Sequence, residues 1–101
     1  MSIVLKSEPG DSSVAISITG RFDFGMNSEF RKVLNETDGA NKSFLIDMSG
    51  VEDIDSSALG MLLLLREKAG GDSSNIKITK CRPDIVDILK MANFHTMFTI
   101  S

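Results

Sequence analysis

The chain has 101 residues, of which 42% are hydrophobic and 25% charged, and this size suits a single domain over residues 1–101 with one hydrophobic core. Its formal net charge is -3, from 11 basic and 14 acidic residues, and no basic cluster of the kind that nucleic-acid binders use is present, which argues against direct nucleic-acid binding. With Cys81 and His95 as the only residues of their types, neither a disulfide nor a cysteine–histidine zinc site can form within one chain.

The apolar segments are too short to serve as a signal peptide or a membrane span. The opening MSIVLKSEPG contains only three consecutive apolar residues, far fewer than a signal-peptide core needs. The run over residues 58–65 is interrupted by Gly60, whereas a membrane helix needs about 20 apolar residues. We therefore expect a cytoplasmic protein without membrane insertion, monomeric when free, with no cofactor and no metal.

The first part of the chain predicts a β-hairpin followed by a helix. SIVLKSE (2–8) is typical of a short strand, and SSVAISITG (12–20) alternates apolar and polar residues as a half-buried strand does. Pro9, Gly10 and Asp11 between them favour a tight turn. In GMNSEFRKVLNETDGAN (25–41), apolar residues recur at helical spacing, and Gly39 is placed to end the helix.

The second part predicts alternating strands and helices. Phe44, Leu45 and Ile46 are consecutive in SFLIDMSG (43–50), which favours a central strand buried on both faces. ALGMLLLLREKAGG (58–71) predicts a helix that is apolar nearly all round, so that a neighbouring helix or a partner protein must cover what the sheet does not. NIKITKC (75–81) predicts a strand, Pro83 begins a third helix, and MFTIS (97–101) predicts a last strand.

The order β-β-α-β-α-β-α-β predicts an α/β fold with a mixed sheet of about five strands flanked by about three helices. Sites in such sheets lie where a strand ends and the next helix begins, and DMSGVEDIDSS (47–57) is such a junction. Asp55 or Ser56 can supply the N-cap of the helix. A single cap needs one side chain, yet three capping residues occur in succession, and the small Ala58 and Gly60 after them permit close approach of another protein.

These residues carry a resemblance. DMSGVEDIDSSALGMLLLL (47–65) resembles the signature of the STAS domain, the family of the bacterial anti-sigma factor antagonists. ITGRFDF (18–24) resembles the family's Gly-Glu-Leu-Asp segment, and ILKMANFHTMFTI (88–100) its terminal helix and strand. The departures are Arg21 and Phe22 in place of Glu-Leu, and Ala58 in place of the commoner Gly.

The resemblance implies a STAS fold and a regulatory role without enzymatic activity. In the family, the first serine of the motif is phosphorylated by the partner anti-sigma factor, which is also a kinase. The matching residue here is Ser56, and a serine phosphatase would reverse the modification. The implied partner-binding residues are Asp23, Asp53, Ile54, Asp55, Ser57, Ala58, Leu59, Gly60 and Met61. We predict that the unphosphorylated protein binds an anti-sigma factor and frees a sigma factor, and that phosphorylation at Ser56 releases the partner.

The physical chemistry of the junction is compatible with such a switch. A phosphate adds a charge of about -1.5 to -2, which the free amides and dipole of a helix N-terminus stabilise. Glu52, Asp53 and Asp55 form an acidic rim around the serine. An added dianion beside these carboxylates would change which surface can dock there.

The sequence allows four other interpretations. A serine hydrolase with Ser56 as nucleophile and His95 as base is disfavoured because the chain has no Gly-x-Ser-x-Gly elbow. A magnesium site on Glu52, Asp53 and Asp55 has suitable ligands, but adjacent acids are more often a solvated rim. A phosphoaspartate receiver would need an acidic pair after its first strand. A STAS regulatory or scaffold subunit of a transporter, lipid-trafficking or stress-signalling complex remains open.

Overall fold

The architecture is known from a computed structural model that describes residues 2–6, 13–36 and 43–101. The elements are β1 (Ser2–Lys6), β2 (Ser13–Phe22), α1 (Asn27–Glu36), β3 (Ser43–Ile54), α2 (Ser56–Lys68), β4 (Asn75–Thr79), α3 (Pro83–Met91) and β5 (Thr99–Ile100). Short 3-10 helices precede α1 (Phe24–Met26), follow α2 (Gly71–Ser73) and follow α3 (Phe94–Thr96). The predicted element order is confirmed, whereas the turn at Pro9, Gly10 and Asp11 and the helix end at Gly39 lie outside the described residues.

The five strands form one sheet in the order β1-β2-β3-β4-β5. β1 pairs antiparallel with β2, and the other neighbours pair in parallel, so the predicted mixed sheet and the central position of β3 are confirmed. Because the strand order follows the chain order, every parallel crossover moves in the same direction across the sheet. Right-handed crossovers then place all three helices on the same face.

The strand β3 differs from its prediction, because only one of its faces is buried. Phe44 and Ile46 are 2% and 0% exposed, but Leu45 between them is 43% exposed. Leu45 is opposite Lys77 of β4, which is also exposed. Three consecutive apolar residues suggested cover on both faces. Among the residues that the structure describes, the helices lie on one face of the sheet, and Leu45 on the other face remains exposed.

The helix α2 carries the predicted apolar surface, and the sheet and α1 cover most of it. Leu62 and Leu65 are fully buried, and α1 packs beside α2, so a neighbouring helix provides part of the predicted cover. Leu63 and Leu64 remain 39% and 38% exposed. Within the described residues, none of the helices has both the length and the apolar character that crossing a bilayer requires.

Candidate functional site

The junction before α2 is a strand for most of its length, whereas the sequence predicted a strand only over residues 43–50. β3 continues to Ile54, and its pairing with β2 extends to Phe22 opposite Ile54, with irregularities in register along the way. The strands approach closely at Gly50, where an added Cβ atom would lie 2.6 Å from Cγ2 of Thr19. Pairing with β2 satisfies the backbone groups of these residues, so the site lies where two paired strands end.

The N-cap of α2 is Asp55, which decides between the two residues that the sequence left open. Asp55 has extended backbone geometry, and one of its carboxylate oxygens accepts a hydrogen bond from the backbone N–H of Ala58 at 3.0 Å. The backbone N–H of Asp55 donates to the carbonyl oxygen of Phe22 at 3.4 Å, which ties the helix start to the end of β2. Ser56 is therefore the first helical residue, and its exposed side chain is not the cap.

Asp23 occupies the equivalent place at the end of β2. Its carboxylate accepts a hydrogen bond from the backbone N–H of Gly25 at 2.9 Å and caps the 3-10 helix Phe24–Met26. Asp23 follows Phe22 and Asp55 follows Ile54, and the two preceding residues are register partners. Since paired strands are about 4.8 Å apart, Asp23 and Asp55 lie side by side at one edge of the sheet.

Phe24 is the member of this region that sequence reasoning missed. It follows the cap Asp23 directly and is 70% exposed, so its ring is not part of the core. Its one sequence signal was its position outside the helical repeat that begins with Met26, since an aromatic residue between a cap and Gly25 has no core position to fill.

The structure divides the predicted partner-binding residues into a surface and its support. Asp53, Asp55, Ser56 and Gly60 are exposed, and Asp23, Ser57 and Leu59 are half-buried. Ile54, Ala58 and Met61 are 8%, 0% and 2% exposed. A direct contact of these three side chains with a partner does not agree with this burial, because they are the core-facing positions of β3 and α2. Five of the exposed and half-buried residues lie at the ends of β2 and β3 and the start of α2. We call these five the helix-end surface: Asp23, Asp53, Asp55, Ser56 and Ser57.

The charge around the helix-end surface is mainly acidic. Glu52, Asp53 and Asp55 are all exposed, and Arg21 is opposite Asp53 in the pairing of β2 with β3. Of the two departures from the family pattern at this strand end, Phe22 is fully buried and Arg21 is exposed. The departure at Arg21 therefore changes the surface charge, whereas the departure at Phe22 changes only the core.

Two of the competing interpretations depend on where the acidic residues and His95 lie. Among residues 2–6, 13–36 and 43–101, no three histidine, cysteine or acidic side chains converge on a possible metal site. His95 lies in the 3-10 helix that precedes β5, whereas Ser56 follows the carboxyl end of β3. Ile46, Ile78 and Ile100 pair side by side across the three parallel strands. From Ile46, β3 continues for eight more residues to Ile54, at about 3.3 Å per residue. His95 and Ser56 are thus at opposite edges of the sheet.

Comparison with known proteins agrees with the predicted family and fold. Residues 7–99 match the family model described as Mlab, STAS domain, and the chain belongs to the STAS domain family. It is 38% identical to a STAS-domain containing protein of Pseudomonas aeruginosa, an alignment of 101 residues that covers 100% of both chains. The predicted family and fold are confirmed.

Two solved structures illustrate the range of proteins that share this fold. The Bacillus anti-sigma factor antagonist SpoIIAA in its unphosphorylated form superposes with a TM-score of 0.73 at 12% identity, over 99% of this chain and 87% of that one. The murine anion transporter Slc26a9 superposes with a TM-score of 0.68 at 16% identity, over 89% of this chain and 16% of that one. The same fold therefore occurs both in a small regulator and as part of a transporter.

Proposed function

We propose that this protein is an anti-sigma factor antagonist controlled by phosphorylation at Ser56. The unphosphorylated protein binds an anti-sigma factor through the helix-end surface and frees a sigma factor, and phosphorylation releases the partner. The observation that carries the proposal is that Asp55 caps α2, which leaves the exposed hydroxyl of Ser56 available for modification. Residues 1–101 act as one cytoplasmic domain without catalytic activity of their own.

A phosphate on Ser56 is compatible with the folded domain. The first backbone N–H groups of an α-helix have no partner within the helix. Asp55 accepts a hydrogen bond from Ala58, so the amides of Ser56 and Ser57 remain for solvent or for an anion. A phosphate at this end of α2 lies at the positive pole of the helix dipole. We therefore expect phosphorylation to change binding and to leave the fold intact.

The same phosphate changes the surface that a partner meets. It adds a charge of about -1.5 to -2 next to the exposed carboxylates of Asp53 and Asp55. A partner surface that is complementary to a neutral serine must then desolvate or repel a dianion, and mispaired charge at an interface costs several kcal/mol. About 1.4 kcal/mol already changes an affinity tenfold, so the added charge is sufficient for release.

A second candidate function is a regulatory or scaffold subunit of a transport, lipid-trafficking or stress-signalling complex. The occurrence of this fold within the anion transporter Slc26a9 supports it, as does the exposure of Leu63 and Leu64 at 39% and 38%, which would suit a permanent contact. In this case the partner would be a subunit of that complex, and Ser56 would not regulate its binding.

The test compares three baits in lysate of the source organism: the natural chain, Ser56→Ala and Ser56→Asp. We expect the first two to retain one anti-sigma factor and Ser56→Asp to lose it. Ser73→Asp is the matched control, because Ser73 is also exposed but lies beyond the other end of α2. Retention of the same protein by all baits would refute the switch, and a transporter or scaffold subunit among the retained proteins would favour the second candidate.

A further inference from the structure

We propose that Phe24 is the apolar anchor of the partner interface, and that it enters an apolar pocket of the partner bordered by lysine or arginine side chains. The inference rests on the proposed function in taking the partner to be the anti-sigma factor. It goes further by assigning a contact that is separate from the phosphorylated serine and by stating the chemistry of the surface that receives it.

The first reason is that Phe24 is both exposed and held in place. Its side chain is 70% exposed, and the 3-10 turn that carries it is closed by two hydrogen bonds. The carboxylate of Asp23 accepts from Gly25 at 2.9 Å, and the carbonyl of Asp23 accepts from the N–H of Met26 at 3.0 Å. On either side, Phe22 and Met26 are buried in the core. An aromatic side chain on an ordered backbone loses little conformational freedom on binding, which is typical of interface anchors.

The second reason is its place beside the helix-end surface. The hydrogen bond from the N–H of Asp55 to the carbonyl of Phe22 brings the start of α2 against the strand end from which Phe24 emerges. Phe24 and Ser56 thus follow two neighbouring caps, Asp23 and Asp55. A partner that covers Ser56 also reaches Phe24.

The third reason concerns charge and defines the partner. The side chains around Phe24 and Ser56 include the carboxylates of Asp23, Asp53 and Asp55, with Arg21 as the cation opposite Asp53. Complementary interfaces place basic groups against such a rim and an apolar pocket against the aromatic anchor. Basic groups that faced Ser56 itself would bind the phosphorylated form more tightly. The basic groups of the partner must therefore lie against Asp23 and Asp53, and the apolar pocket must supply much of the affinity for the unphosphorylated form.

Met91 is the matched residue for comparison. Its side chain is 85% exposed, more than that of Phe24, but it ends α3. α3 returns the chain from the carboxyl end of β4 to the start of β5, so Met91 lies near the sheet edge opposite to Ser56. Its exposure is therefore unrelated to the helix-end surface.

The test uses calorimetry to measure the affinity between the natural chain or its variants and the purified anti-sigma factor that the bait experiment identifies. We expect Phe24→Ala to weaken binding roughly thirtyfold, equivalent to about 2 kcal/mol, and Phe24→Leu to recover most of the loss. Met91→Ala should bind as the natural chain does. Natural affinity in Phe24→Ala would overturn the anchor. Weak binding by Phe24→Ala together with unchanged binding by Ser56→Asp would support the anchor and refute the phosphorylation switch.

A second measurement does not depend on prior identification of the partner. p-Benzoyl-phenylalanine in place of Phe24 or of Met91 is photolysed in lysate, and crosslinked proteins are identified. We expect position 24 to crosslink to the protein that the natural bait retains, and that protein to lose its affinity for Phe24→Ala. A crosslink from position 91 alone, a crosslinked dimer of this chain, or no crosslink from position 24 would each overturn the proposal.

Discussion

The separation of cap and switch at the start of α2 can be tested by stability alone. Replacing Asp55 by Ala removes the 3.0 Å hydrogen bond to the N–H of Ala58 and a carboxylate at the positive end of the helix. Loss of an N-cap side chain costs about 1 kcal/mol, and a charge at a helix terminus contributes roughly 0.3–1 kcal/mol. We therefore expect Asp55→Ala to lower the free energy of unfolding by about 1–2 kcal/mol.

Ser56→Ala should have a much smaller effect. Its hydroxyl is exposed and does not cap α2, and Ala is the better helix former. We expect a change within about 0.5 kcal/mol in either direction, the usual range for such surface substitutions. Asp55→Asn is the matched control, because it keeps the acceptor oxygen and loses the charge, so its stability should lie between those of the natural chain and Asp55→Ala.

The assay is equilibrium unfolding in urea followed by far-UV circular dichroism. For a domain of this size, 1 kcal/mol corresponds to roughly 4–8 °C in Tm, so thermal unfolding gives an independent reading. If Ser56→Ala destabilised the protein as much as Asp55→Ala, Ser56 would be a structural cap, and the proposal that its hydroxyl is available for phosphorylation would lose its basis.

Three further predictions concern the core, the strand crossing and the thiol. Leu62→Ala should cost about 2–5 kcal/mol of unfolding free energy because the side chain is fully buried, whereas Leu63→Ala should cost under about 1 kcal/mol; equal losses in urea unfolding would contradict the orientation of α2. Gly50→Ala should cost about 1–3 kcal/mol through the contact with Thr19, and Thr19→Ser should restore part of it, so the same loss in the double variant would argue against the close approach. Burial raises the pKa of the Cys81 thiol from 9.0 to about 11, so alkylation of the folded protein by iodoacetamide should rise with a midpoint near pH 11, later than in the urea-unfolded chain. The folded state holds this proton more tightly, and the associated stability should be present below pH 9 and decline as the pH rises towards 11; coincident alkylation profiles would refute the shift.

Some features of the site were predictable because they depend on residues that are close in sequence. The Asp-Ser-Ser run before an apolar segment predicted a capped helix start, and the structure places Asp55 and Ser56 at that position. Which of the two provides the cap was not predictable, because both side chains can accept the same hydrogen bond. The choice depends on the residue at which β3 ends, and the pairing of Ile54 with Phe22 sets this residue.

The sequence by itself determined the order of the elements, the mixed sheet and the motif at the start of α2, because hydrophobic period and capping residues are local properties of the chain. The tertiary structure decided which apolar residues are covered. Leu45 is 43% exposed and Met61 is 2% exposed, although both belong to continuous apolar runs. The crossovers cover one face of the sheet and leave Leu45 on the other, whereas Met61 is on the core-facing side of α2. It also decided that Asp23 lies beside Asp55, so that Phe24 and Ser56 follow two neighbouring strand ends, since parallel pairing brings together residues that are more than thirty positions apart.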